Sequence, residues 1–171
     1  MAQKRGHWLV KTEPGTYSWA DMLRDRETHW DGVRNYQARN NLRAMRQGDH
    51  VLWYHSVGDK EVVGVAEVTC EAYPDPTTDD ERWSVVDLAP IAALKRPVTL
   101  AEIKAVEDLA EIPLIRQSRL SVMPLERAAF ERILALGGGT VSVEVKTAKK
   151  KAKAKAKSTK TKKVGREARK P

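Results

Sequence analysis

The sequence holds little that does covalent or redox chemistry. One cysteine, Cys70, leaves no internal disulfide to form. The four histidines never fall in an HxxxH spacing and no CxxC pair occurs, so the common zinc frameworks are excluded. A Walker loop, a GxSxG elbow and a GxGxxG turn are all missing, which removes the usual signatures of nucleotide hydrolysis, serine hydrolysis and dinucleotide binding. On these grounds no cofactor, no metal and no catalytic residue is expected. No apolar run approaches the roughly 20 residues that span a bilayer. Met1 to Gly6 is polar where a secretory signal needs an apolar stretch. A reducing intracellular setting without a membrane partner is the expectation.

What is present is uneven in charge. The formal net charge is +8, but residues 146–171 hold 13 of the 31 Lys and Arg and one of the 23 acids, Glu167. That segment therefore carries +12, and residues 1–145, with 18 bases against 22 acids, carry −4. The segment reads KTAKKKAKAKAKSTKTKKVGREARKP, with Val164 as its one large apolar residue. It cannot bury enough surface to offset backbone ordering entropy, so a disordered tail is expected. A block of one sign of charge points to a polyanion partner; the plainer reading is a solubilising tail. Residues 1–145 are expected to form one domain, a size that suits a real core, in a chain that is 41% apolar as a whole. Any contact it makes with a polyanion must be local, because its bulk charge repels one.

Within that domain strands dominate the centre and helices flank them. His7 to Lys11 reads as a first strand, and Ser18, with Asp21 three residues on, as the N-cap of a helix bearing Trp19, Met22 and Leu23 on one face. Asp49 to Ser56 alternates, with Val51, Trp53 and His55 on one side and Leu52, Tyr54 and Ser56 on the other. Gly58-Asp59 reads as a hairpin turn into a second β-rich run, Glu61 to Tyr73, where Gly64 marks a bulge or a close backbone approach. Arg82 to Leu94 is a further strand candidate, and Thr99 caps a short helix. Pro124 is expected to open the last helix, with Leu125, Ala129, Phe130, Ile133 and Leu134 inward and Gly137 at its end. Val141, Val143 and Val145 then alternate. The pattern predicts an α+β domain, a small and largely antiparallel β-barrel or curled sheet with helices outside.

Three stretches carry candidate chemistry. WDGVRNYQARNNLR, Trp30 to Arg43, crowds Asn35, Tyr36, Gln37, Arg39, Asn40 and Asn41 together. Amides that both donate and accept suit a base edge, and Trp30 or Tyr36 suits stacking; the plainer reading is a hydrogen-bonded loop and helix cap. Trp53-Tyr54-His55-Ser56 ends a strand, with Tyr54 and Ser56 on one face, although His55 taken alone reads as a satisfied surface histidine. Arg119-Leu120-Ser121 offers a phosphate-clamping arginine and a hydroxyl, or an ordinary connector.

These stretches, with HWLVKTEP at His7 to Pro14 and EAYPDPT at Glu71 to Thr77, resemble the EVE domain family in family order across nearly all of residues 7–136. GVRNYQARN is the most specific of them. The resemblance implies a PUA-like β-barrel and a pocket for a modified nucleobase, with a modified cytosine flipped from DNA as the expected ligand. It implies pocket positions at Lys11, Ser18, Trp30, Asn35, Tyr36, Gln37, Tyr54, His55, Ser56, Arg119 and Ser121. The chain departs from the family in having Thr12 where Ser is usual, and in a short DPTTDDERW where many members carry an insertion. The expected function is non-enzymatic binding of nucleic acid by a monomer, with DNA favoured and RNA open. The alternatives are a reader of a modified RNA base and an enzyme acting on modified nucleotides. Phosphate contacts are expected from Arg39 and from Lys149, Lys150, Lys151, Lys153, Lys155, Lys157, Lys160, Lys162 and Lys163. The setting would be cytoplasm or nucleoid in a bacterium and the nucleus in a eukaryote.

The tail reading has a direct test. Deleting residues 146–171 is expected to flatten the salt dependence of DNA binding, because each engaged lysine contributes about 0.9 to the log–log slope on a duplex. Titrations across a range of salt concentrations with full-length and truncated protein measure this; equal slopes would remove the tail from the interface.

Overall fold

The run His7–Thr12 forms the first strand, β1, because its apolar residues Trp8, Leu9 and Val10 are buried together. The computed structural model describes residues 4–142, so the expected tail and the Val143 and Val145 end of the last alternation lie outside the described residues. β1 pairs in parallel with β3 (His50–His55), setting Val10 beside Trp53 and Thr12 beside His55. A parallel pair needs a crossover. Helix α1 (Trp19–Asp25), the two-residue strand β2 (Thr28–His29) and helix α2 (Tyr36–Ala44) supply it.

A turn with left-handed backbone at Gly58 (φ 82°) and Lys60 (φ 45°) returns β3 into β4 (Glu61–Pro74). β4 then pairs antiparallel with β5 (Ser84–Thr99). The two strands have 14 and 16 residues, and the register slips at several points along them. Such bulges bend and twist a ladder, which lets strands this long curl. After β5 come α3 (Leu100–Lys104), a 3-10 turn (Glu107–Leu109), α4 (Pro113–Arg116), β6 (Val122–Pro124), α5 (Arg127–Leu136) and β7 (Thr140–Ser142). The sheet order is β2-β5-β4-β3-β1-β6, with β7 also on β5. The expected α+β class is observed: a curled sheet, antiparallel but for β1 and β3, with helices outside it. Among the described residues no helix is long and apolar enough to cross a membrane.

Ser18 caps α1 as expected, in a full capping box with Asp21. One expectation needs correction. Pro124 does not open the last helix; it ends β6, opposite Trp8, and the helix starts at Arg127. Proline is tolerated there because β6 is an edge strand, while Leu125 donates its N–H to the His7 carbonyl at 2.8 Å and delays the helix. The alternating run forms β3 as expected, and it is buried on both faces. Val51, Leu52, Trp53 and Tyr54 are all buried, because both sides of the strand are covered.

The core centres on Trp53, whose ring lies 5.1 Å from Trp30, 5.8 Å from Trp19 and 6.0 Å from Tyr17. Its neighbour across the ladder is Gly64. Trp19 rests on that glycine, so a Cβ there would run into the indole, with Cε2 only 2.6 Å away. The close backbone approach expected at Gly64 is thus made by a tryptophan. Gly64→Ala is expected to lower stability by about 1–3 kcal/mol through overpacking. The urea midpoint should fall with an unchanged slope; no shift would mean that Trp19 is free to move aside.

Candidate functional site

Four chain segments meet beside this aromatic cluster. β1 and the residue after it bring Lys11, Thr12 and Glu13. The segment after β2 brings Trp30 to Arg34, the end of β3 brings Tyr54 and Ser56, and the connector before β6 brings Ser118, Arg119 and Ser121. Two adjoining recesses result, of about 650 and 370 Å³. Lys11, Glu13 and Ser121 line both and form the wall between them. Tyr17, Thr28, His29 and Trp30 close the larger recess, while Tyr54, Ser56, Lys60 and Arg119 close the smaller.

The ladder hydrogen bonds fix this arrangement. Lys11 donates its N–H to the Ser121 carbonyl and Ser56 donates its own to that of Thr12, both at 2.9 Å. The Lys11 ammonium donates to the Ser118 carbonyl at 2.7 Å, tying the connector to β1, and lies 6.0 Å from the centre of the Tyr54 ring. Burial pulls the Lys11 pKa below its ordinary value and pushes that of Tyr54 up. Tyr54 is only 3% exposed, so it is first a core residue that shows one edge to the recess. Ser56 donates its hydroxyl to the Thr12 carbonyl at 3.3 Å.

The other selected residues sit elsewhere. Ser18 spends its hydroxyl on Asp21, accepting from the backbone N–H at 3.1 Å and meeting the carboxylate at 3.0 Å. His55 lines neither recess; its Nε2 accepts the Trp19 backbone N–H at 3.1 Å, at the first turn of α1. Asn35 caps α2, accepting from the Ala38 N–H at 2.9 Å. Together with Gln37 it lines a third recess of about 310 Å³, which shares Ser118 and Arg119 with the second. Tyr36 points away to stack on Trp83. An apolar groove of about 550 Å³ between Leu109, Ile112 and Ala129 contains none of the selected residues. Sequence reasoning passed over Glu13, Tyr17, Arg34 and Lys60. Glu13 lies within HWLVKTEP, so the motif held the signal, but nothing in its spacing marked the carboxylate as recess-lining.

The recesses combine the ammoniums of Lys11 and Lys60, the carboxylates of Glu13 and Asp31, the guanidiniums of Arg34 and Arg119, serine and threonine hydroxyls, and aromatic walls. That mixture suits a planar, mostly apolar ligand with donors and acceptors along one edge. Among the described residues no cluster of His, Cys, Asp and Glu could hold a metal ion.

The EVE domain pattern matches residues 6–136. The chain belongs to the EVE domain family. It is similar to human thymocyte nuclear protein 1, with 34% identity over an alignment covering 76% of this chain and 73% of the relative. A solved structure of the human protein in complex with DNA containing 5-methylcytosine superposes with a TM-score of 0.71 at 35% identity, covering 77% of this chain and 97% of that one. A Rhodopseudomonas palustris protein of known solution structure matches at 42% identity and a TM-score of 0.75, over 78% of this chain and 93% of its own. The curled sheet is therefore that of a PUA-like EVE domain.

The His55 contact sets a pH dependence. Burial lowers the His55 pKa below its ordinary 6.5, and an Nε2 that accepts the Trp19 N–H must be unprotonated. The unfolded chain thus binds a proton more readily than the folded one. This contribution to stability is present above about pH 6.5 and is lost as pH falls through the lowered folded value. His7 and His50 share the direction, also through burial, so the informative quantity is a difference. His55→Gln is expected to lose less stability than the wild type between pH 7.5 and 5. Parallel pH profiles in urea melts would refute the assignment.

Proposed function

We propose that this EVE domain is a non-enzymatic reader of a modified base, with 5-methylcytosine in DNA as the preferred ligand and the two recesses around Lys11, Glu13 and Ser121 as its pocket. The observation that carries the reading is the convergence of HWLVKTEP, WDGVRN, YHS and RLS on one polar and aromatic cleft. The methylated DNA held by a relative 35% identical to this chain supports the choice of base.

In this reading a cytosine leaves the stack and enters beside Trp30. Extrusion costs a few kcal/mol, which stacking and edge hydrogen bonds must return. Glu13 accepts from the exocyclic amine, the donor a carboxylate reads on cytosine. The Lys11 ammonium and the Ser121 hydroxyl donate to the acceptor side of the ring. Trp30 gives the apolar wall against which a 5-methyl group packs, and Tyr54 lines the adjoining smaller recess. Arg119, exposed where the second and third recesses join, holds a neighbouring phosphate. Ser18 and His55 act one step back: they fix the first turn of α1, whose Trp19 supports the Trp53 cluster behind the pocket. The basic tail tethers the domain to phosphate without reading sequence. One methyl group provides about 1–3 kcal/mol of discrimination, so preference on the order of tens-fold is expected.

The test is binding of residues 1–145 to fluorescent oligonucleotides carrying cytosine, 5-methylcytosine or 5-hydroxymethylcytosine, in DNA and RNA versions at one salt concentration. Preference for methylated DNA is expected, and Glu13→Gln and Ser121→Ala should each weaken it roughly tenfold or more, the loss of a charge-assisted or buried hydrogen bond. Preference for the RNA series would transfer the pocket to an RNA base. A product detected by mass spectrometry after incubation would make the protein an enzyme. Binding that requires the tail and ignores the base would end the reader proposal.

A further inference from the structure

On a domain whose net charge is negative, uncompensated positive charge gathers beside α2. Tyr36, Arg39 and Arg43 fall at positions i, i+3 and i+7 of that helix and share a face. Tyr36 is 52% exposed, unusual for a large apolar side chain in this molecule. Its ring stacks on Trp83, with centroids 5.2 Å apart and planes 28° from parallel. The Arg39 guanidinium stands 4.9 Å from the centre of the Tyr36 ring, and that of Arg34 stands 5.5 Å from the centre of the Trp83 ring.

The partners of these arginines differ. Arg34 is neutralised by the buried carboxylate of Asp75 at 3.0 Å, and Arg82 by Asp80 at 2.7 Å. Arg39 and Arg43 have no carboxylate partner among the described residues. Both instead donate to one neutral acceptor, the Arg82 carbonyl, from Arg39 Nη1 at 3.2 Å and Arg43 Nη2 at 3.3 Å. Arg39 also donates to the Asn40 side chain and Arg43 to the Ser84 hydroxyl, again neutral groups. Two guanidinium groups converging on a single carbonyl repel each other, and unspent N–H donors remain on both. An anion with several oxygens relieves the repulsion and takes up the donors, and a phosphodiester is the anion guanidinium forks match best.

We propose that Arg39 and Arg43, backed by Tyr36 and Trp83, form a second nucleic-acid subsite that clamps a phosphodiester of the strand adjoining the pocketed base. The subsite deepens the reader assignment and rests on it for the identity of the strand. Arg34 connects the two places, since it lines the larger recess and lies over Trp83. Tyr36 and Trp83 are positioning residues: the Tyr36 face holds the Arg39 guanidinium by cation–π contact, and Trp83 stacks on Tyr36 and fixes its ring. A phosphate held here fixes the position of the strand and carries no information about the base.

The experiment uses the full chain with a single-stranded oligonucleotide bearing one 5-methylcytosine and its unmodified twin, each titrated across a range of salt. Arg39→Ala/Arg43→Ala is expected to weaken both oligonucleotides by the same factor, leaving their ratio intact. It should also reduce the log–log salt slope by about 0.7, the share of one phosphate neutralised on a single strand. Tyr36→Ala should weaken both in the same way, and Tyr36→Phe should restore binding. Melting temperatures close to the wild type confirm that these half-exposed sites do not unfold the domain. Unchanged affinities and slope in the double variant would overturn the subsite even if methyl preference persists. Equal binding of the two oligonucleotides by the wild type would overturn the reader assignment instead, and leave the clamp standing wherever the double variant still weakens both. If the double variant lost binding to a glutamate-rich peptide but not to DNA, the surface would belong to a protein partner and the proposal would fall.

Discussion

The packing of Trp19 onto Gly64, across the ladder from Trp53, is the constraint on which the rest of the molecule depends. It fixes three things at once. It holds α1 against the curled sheet, because Trp19 is the first residue of that helix and is wedged where no Cβ exists. It fills the space behind Trp53, whose ring is fully buried and meets Trp30 edge to face at 80°. Through Trp30 and Tyr17 it then sets the wall of the larger recess. The cleft is therefore an extension of the core rather than a loop assembly laid over it. A site backed by close-packed aromatic rings keeps its shape when empty, and a small difference in ligand size can register as a difference in affinity.

The electrostatic design is local in the same sense. With the basic segment set apart, residues 1–145 carry −4, so no general field draws a polyanion to the domain. What the domain offers are a few unspent donors in fixed places: the Lys11 ammonium at the wall between the recesses, Arg119 at its edge, and the Arg39 and Arg43 pair beside α2. Several other cations are spent internally. Arg24 pairs with Asp21, Arg96 with Glu102, Arg116 with Glu111 and Arg127 with Glu131. Exposed pairs like these contribute little to stability, but they leave those faces without free charge.

Much of the fold was legible in the sequence because its signals were short-range. Ser18 with Asp21 in the next turn reads as an N-cap and Thr99 as another, and both prove to be capping boxes; the alternation through β3 and the β-rich run of β4 read as strand. Helix α2 was not legible, since only Ala38 and Leu42 of its nine residues are buried and a two-residue apolar stripe gives almost no periodicity. Pro124 misled because proline is equally at home at a helix start and at the end of an edge strand; the choice is made by a hydrogen bond to His7, far away in the chain. The site shows the same division. Motif order located the segments, but neighbours in sequence were dispersed in space. Asn35 became a cap, Tyr36 turned to Trp83, and Gln37 faced a third recess, because successive residues entering a helix point about 100° apart. Glu13 lines the recess from just past the end of β1, a position that spacing alone does not mark.

These features also explain why a weakly selective pocket is sufficient in the proposed reading. A pocket that gains only about 1–3 kcal/mol from a methyl group cannot by itself find a rare base among many ordinary ones. A non-specific attachment by the basic segment changes the problem, since the second contact becomes intramolecular and takes place at high effective concentration. Affinity then comes from phosphate contacts that are blind to sequence, and discrimination comes from a pocket that need only prefer one base among those passing it. Separating the two tasks lets the domain stay acidic. A strongly basic barrel would bind any strand wherever it landed and mask the pocket's small preference, whereas a domain at −4 with a few fixed cations engages closely only where base and backbone both fit.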